Sequence, residues 1–184
     1  MIKLEHRVEN LETLFNKLFE STENTLLVSG GDEPIYLPAS ETGNTNKVIS
    51  TKNYFSSALH EVSHWCLAGL ERRKLIDYGY WYEPDGRTEQ QQRLFEQVEI
   101  KPQALEWIFT EATAQKFRLS LDNVNQPEIK PSDDFRHNVH VQAVNYLQQG
   151  LPERAIKFLD SLLGYYQSTD SVLNIENFRL EDLY

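Results

Sequence analysis

The segment Ala58-Leu-His-Glu-Val-Ser-His-Trp-Cys-Leu-Ala-Gly69 constrains this chain more than any other stretch of its sequence. His60 and His64 stand four residues apart, which on an α-helix puts both imidazoles on one face, within reach of a single ion. Phe55, Ala58, Leu59, Val62, Trp65 and Cys66 occupy the apolar positions, so the pattern predicts a helix capped by Asn53 and running to about Leu70. Two helical nitrogens and one carboxylate from a neighbouring helix would make a three-ligand site with open positions. Catalytic zinc and non-haem iron oxygenases both use that arrangement. Glu61 falls beside the ligands, where it could serve as a base or orient a ligand.

Composition narrows the ligand set. Cys66 is the only cysteine, which excludes an intrachain disulfide and a thiolate zinc cage, so any metal must be held by His, Asp or Glu. Cys66 lies two residues past His64 and therefore faces away from the ligands, as a small core residue. The formal net charge of −10 argues against a nucleic-acid backbone as the main partner, since that contact needs a basic surface, and fits a cationic substrate better. No stretch approaches the roughly 18 consecutive apolar residues that a spanning helix needs, and the first residues carry no secretory signal pattern, so the cytosol is the expected compartment.

The remaining pattern predicts a single α+β domain in which several helices pack on a small mixed sheet. Val8, Leu11, Phe15, Leu18 and Phe19 mark an amphipathic helix over residues 3–20, and β-type runs follow at 25–29, 34–37 and 47–51. A polar helix is expected from Thr88 to about Glu99, with Pro102 in the first turn of the next helix, up to about Phe117. Asp133 or Asp134 is the expected cap of a helix ended by Gly150, and Pro152 starts another over Ala155–Leu163.

The third metal ligand is sought among the carboxylates ahead of that apolar helix. Glu99 is the first choice because it lies at the junction of the two predicted helices, and Glu96, three residues earlier on the same face, is the second. The segment 77–87 combines turn residues with Tyr78, Tyr80, Trp81 and Tyr82. These rings could wall an alkyl-ammonium group, with Asp77, Glu83 or Asp85 supplying charge, or could close the core beneath a loop. His137 and His140 read as a solvent-facing pair, and His6 carries no pattern.

The sequence resembles a known family, the elongation factor P hydroxylases of the YfcM or EpmC type. The resemblance runs through GDEPIYLPA at 31–39, ALHEVSHWCLAG at 58–69, DYGYWYEPDGR at 77–87, FEQVEIKPQALEW at 95–107 and GLPERA at 150–155. It implies a fold similar to the YbeY-type metalloproteins and a 2-His-1-carboxylate site of His60, His64 and a glutamate within FEQVEIK, leaving Glu99 and Glu96 both open. It further implies iron(II) as the metal, dioxygen as co-substrate, and hydroxylation of the β-lysylated lysine of elongation factor P. The rival reading of the motif alone is a zinc hydrolase, a peptidase or ribonuclease-like enzyme, in which Glu61 activates a metal-bound water.

Overall fold

Val8, Leu11, Phe15 and Phe19 recur at intervals of three or four, and the helix they specify, α1 (Val8–Glu23), buries all four on one side. The structure, a computed structural model, describes residues 5–77, 87–121 and 130–183. Asn24 ends α1 in the left-handed conformation, and the chain turns directly into β1 (Thr25–Gly31). Strand β2 (Ile35–Leu37), a short helix α2 (Ala39–Thr42) and strand β3 (Asn46–Thr51) follow. Strand β3 lies in the middle of a three-stranded sheet, parallel to β1 and antiparallel to β2. Leu27 and Val48 sit opposite each other in the β1–β3 register and are both buried, so they form the core face. The register slips between Val28 and Gly31, and a Cβ at Gly31 would stand 2.7 Å from Ile49 and 2.9 Å from the Glu33 carbonyl, which is why glycine is needed there.

Helix α3 (Phe55–Leu67) carries the two histidines. It begins after Tyr54 rather than Asn53, and stops three residues short of Leu70. The basis of that stop is visible. Arg154, from α6 (Glu153–Tyr166), donates through Nη2 to the carbonyls of Trp65, Cys66 and Ala68, and its guanidinium stacks 4.6 Å from the Trp65 ring centre. A cation at the carboxyl end of a helix satisfies the carbonyls that have no helical partner and complements the dipole. Trp65 in turn packs on Phe15 and Phe19 at 4.9 and 4.8 Å, so α1, α3 and α6 meet at one aromatic cluster. Cys66 is buried here, as its position in the motif predicts, and burial pushes its thiol up to about 12.

The largest departure from the sequence pattern is α4 (Glu89–Ala112), one helix of 24 residues where two were expected. Thr88 and Gln91 form a reciprocal capping box at its start, and Pro102 lies inside it instead of at the first turn of a second helix. Pro102 removes one donor, and the carbonyl it would have served belongs to Val98, on the solvent side of the helix at 46 % exposure. Water can replace the missing partner there, while Phe95, Ala104, Leu105, Ile108 and Phe109 keep the inner face in the core. Ser132, not Asp133 or Asp134, caps α5 (Asp133–Gln149), its hydroxyl accepting from the Phe135 amide at 3.0 Å. Of the two histidines on α5, His137 is exposed. His140 is half-buried, with Nε2 3.0 Å from the Phe178 carbonyl, so the two do not form a solvent-facing pair.

One continuous core joins the sheet and all the long helices, and no helix among the described residues is long and apolar enough to cross a membrane. Because Arg154 closes the end of α3 with charge-assisted hydrogen bonds, Arg154→Ala is expected to lower the unfolding free energy by about 2 kcal/mol. Urea unfolding of the two proteins measures this, and coincident midpoints would show that solvent serves those carbonyls equally well.

Candidate metal centre

Helices α3 and α4 pack side by side, and the faces they present to each other are polar where the rest of their contact is apolar. His60 and His64, one turn apart on α3, bring their Nε2 atoms within 3.1 Å of each other. Across from them Glu99 places Oε1 3.1 Å from His64 Nε2, and Oε2 3.5 Å from His60 Nε2. Glu99 is 1 % exposed. The three side chains offer donor atoms all within 4.8 Å of one another. An ion about 2.1 Å from each donor separates neighbouring donors by roughly 3.0 Å at right angles and roughly 3.4 Å at tetrahedral angles. The two 3.1 Å spacings fall in that range and the 3.5 Å one lies just beyond it, so the residues present fit a divalent cation after a small adjustment.

Two further polar residues of α4 complete this face. Gln103, one turn beyond Glu99 and fully buried, donates from Nε2 to Glu99 Oε2 at 3.3 Å and to the Ser120 carbonyl at 2.7 Å, while its Oε1 accepts from the Ser120 amide at 3.0 Å. Glu106, two turns beyond Glu99, places Oε2 2.8 Å from His60 Nδ1. Neither is among the residues expected from sequence. The signal is present nonetheless: Glu99, Gln103 and Glu106 follow an i, i+4, i+7 spacing through a stretch whose other residues are largely apolar.

The charges of this cluster are strongly coupled. Burial by itself favours a neutral His60 ring, but the carboxylates of Glu106, Glu99 and Glu61 together outweigh it and raise its pKa from 6.5 to about 10. Burial would likewise raise Glu99, yet the imidazoles of His64 and His60 and the amide of Gln103 pull it down from 4.5 to about 2.

The other sequence candidates are placed as follows. Glu96 is buried but turned away from the histidines. It accepts from the Ser132 amide at 3.2 Å and from the Ser132 hydroxyl at 2.5 Å, tying α4 to the start of α5. Glu61 is 8 % exposed and lines the same cleft as His60. Asp77 pairs its carboxylate with Arg72 and its backbone with Tyr36, and borders a small hollow of about 30 Å³ that Glu61 and His64 also line. Tyr78, Tyr80, Trp81, Tyr82, Glu83 and Asp85 lie outside the described residues.

A cleft of about 600 Å³ reaches His60, Glu61, Glu99 and Glu106 at one side. Leu59, Phe95 and Phe117 give it apolar walls, and Lys116 and Arg118 border it as exposed residues. His60, with 23 % of its side chain exposed, joins the buried cluster to this space.

The sequence family of elongation factor P hydroxylases (EpmC) matches residues 14–178, a span that contains every residue of the cluster and the cleft. The chain belongs to the elongation factor P hydroxylase family. The elongation factor P lysine hydroxylase of Haemophilus influenzae is 48 % identical to it over 177 residues, covering 95 % of this chain and 97 % of that protein. In this member of the elongation factor P hydroxylase family, the region of the HEVSH motif and that of the FEQVEIK block therefore meet in three dimensions.

A pH dependence follows for the metal-free protein. Glu99, with its pKa lowered, stabilises the fold above its ordinary 4.5, and loses that contribution as pH falls toward about 2. His60, with its pKa raised, contributes fully below its ordinary 6.5, and loses that contribution as pH rises through about 10. The melting difference between wild type and Glu99→Gln should therefore be largest between pH 4.5 and 6.5 and shrink on both sides. A difference that stays flat from acid to alkaline pH would contradict the coupling.

Proposed function

We propose that this chain hydroxylates the β-lysylated lysine side chain of translation elongation factor P, using iron(II) held by His60, His64 and Glu99 and dioxygen as co-substrate. The observation that carries this reading is the His60–His64–Glu99 cluster standing at the side of a cleft in a chain of the elongation factor P hydroxylase family. The relative from Haemophilus influenzae, named as a lysine hydroxylase of that factor, supports the choice of substrate.

Bound by two imidazoles and a carboxylate, iron(II) would supply the activation of dioxygen that puts one oxygen atom into an unactivated C–H bond, the other leaving as water with two electrons from an external reductant. The protein's own part is to hold and to shape. His60 and His64 are fixed by one helix and Glu99 by its neighbour, with Gln103 linking Glu99 to the backbone of Ser120. The cleft is of a size that ordinary ligand sites share. Its walls of Leu59, Phe95 and Phe117 suit an aliphatic chain, and Glu61 gives it negative charge for an ammonium group. Charge is thus negative within and positive at the exposed edge formed by Lys116 and Arg118. On their chemistry, Tyr78, Tyr80, Trp81, Tyr82, Glu83 and Asp85 are the further residues we assign to recognition of the cationic side chain. Asp77, committed to Arg72, anchors the start of that segment. Glu61 is assigned the transfer of protons that reduction of dioxygen consumes, a role for a carboxylate beside the donors.

Mass spectrometry of β-lysylated elongation factor P after aerobic incubation with the protein, iron(II) and a reductant tests the proposal. A gain of one oxygen atom is expected with wild type and none with His60→Ala. Equal gain with both proteins would remove the metal site from the reaction, and no gain with either would remove the activity.

The two glutamates separate in a second experiment. Glu99→Ala should abolish metal binding, measured as metal content after dialysis against iron(II) under anaerobic conditions. Glu96→Ala should retain the metal and instead lower stability by about 1 to 3 kcal/mol, because it deprives Ser132 of its partner at the start of α5. Loss of metal from Glu96→Ala with full retention by Glu99→Ala would exchange their roles.

A further inference from the structure

We infer that Glu106 is a positioning residue of the metal centre: it holds the proton of His60 on Nδ1 and the plane of the ring, so that the Nε2 lone pair points at the ion. The inference rests on the metal reading above and adds to it a residue that takes no part in ligation.

The geometry assigns the two edges of the His60 ring to different partners. Nδ1 faces Glu106 Oε2 at 2.8 Å, while Nε2 faces the other two donors, at 3.1 Å from His64 and 3.5 Å from Glu99. A neutral imidazole has one N–H, and a carboxylate accepts a hydrogen bond but cannot donate one. With Glu106 at Nδ1, the N–H is placed there and Nε2 is left with the free pair that a cation requires. The opposite tautomer would set a lone pair against a buried carboxylate and aim a proton at the ion. Histidine ligands commonly have their second nitrogen bound to a carboxylate in this way, which fixes the ring and strengthens it as a donor.

Glu106 is otherwise hard to explain. It is 6 % exposed, and a buried carboxylate is costly unless a specific partner compensates it. Its place is determined by α4: two turns beyond Glu99, it reaches the far side of the ring whose near side Glu99 approaches. One helix therefore supplies both the carboxylate facing the ion and the carboxylate behind the ligand.

Cobalt(II) binding by chelator competition, with the cobalt ligand-field spectrum and the melting midpoint of the metal-free protein, tests this in wild type, His64→Ala, Glu106→Gln and Glu106→Leu. Wild type should bind cobalt and His64→Ala should not. Glu106→Leu should bind about 10- to 100-fold more weakly than wild type. Glu106→Gln, whose side-chain carbonyl still accepts from Nδ1–H but without charge, should fall between them, with a shifted ligand-field band and a metal-free melting midpoint close to that of wild type. Wild-type affinity in Glu106→Leu overturns the inference while leaving the metal centre intact. Should the leucine variant fail to fold, affinity and spectrum of Glu106→Gln indistinguishable from wild type overturn it as well. Equal cobalt binding by wild type and His64→Ala would instead mean that the metal centre itself is misassigned, and the role of Glu106 falls with it.

Discussion

The pairing of α3 with α4 is the contact on which the site depends. Helix α3 presents imidazoles and α4 presents carboxylates, and each set is too costly to bury without the other. Glu99 and Glu106 are almost wholly enclosed, and His60 lies between them, hydrogen-bonded at Nδ1 to Glu106 and 3.5 Å at Nε2 from Glu99. The apolar residues around them, among them Leu59, Val62, Leu105 and Ile108, fix the distance between the helices. Charge then sets the register, since sliding one helix past the other by a turn would leave a buried carboxylate without its imidazole. The far end of α3 is held independently, by Arg154 and the aromatic cluster of Phe15, Phe19 and Trp65.

This division of labour explains what could be read from the sequence. Periodic burial is written locally, so the amphipathic α1, the three strands and the histidine helix were all visible, with ends displaced by a few residues. Asn53 and Asp133 looked like caps by residue type, whereas the positions that begin α3 and α5 depend on neighbours: Ser57 engages the Thr51 amide ahead of α3, and Glu96 engages Ser132 ahead of α5. Pro102 misled for a related reason. A proline ends a helix unless its missing hydrogen bond falls on the wet side, and which side is wet is known only once the helix has packed.

The carboxylates show the same limit. Glu96 and Glu99 share one face by spacing, so sequence could narrow the third donor to two residues but not to one. Their fates differ because that face meets two different elements, α5 at Glu96 and α3 at Glu99. Glu106 stands within an apolar run, and only its burial on the packed helix distinguishes it from an exposed acidic residue. The resemblance to elongation factor P hydroxylases, carried by long blocks rather than by HEVSH alone, agrees with the family match over residues 14–178. The family match spans both blocks, and the packing of α3 on α4 is what brings His60, His64 and Glu99 together.

Gln103 gives the cleft a mechanical property. Its single amide grips the backbone of Ser120 from both sides and also reaches Glu99. The segment from Gln115 to Ser120 forms one wall of the cleft, so that wall and the carboxylate of Glu99 are fastened to the same rigid pin. Pulling the wall outward would strip two hydrogen bonds from Gln103 and loosen its hold on Glu99 in the same movement. One buried amide thus ties the wall of the cleft to the carboxylate beside the histidines.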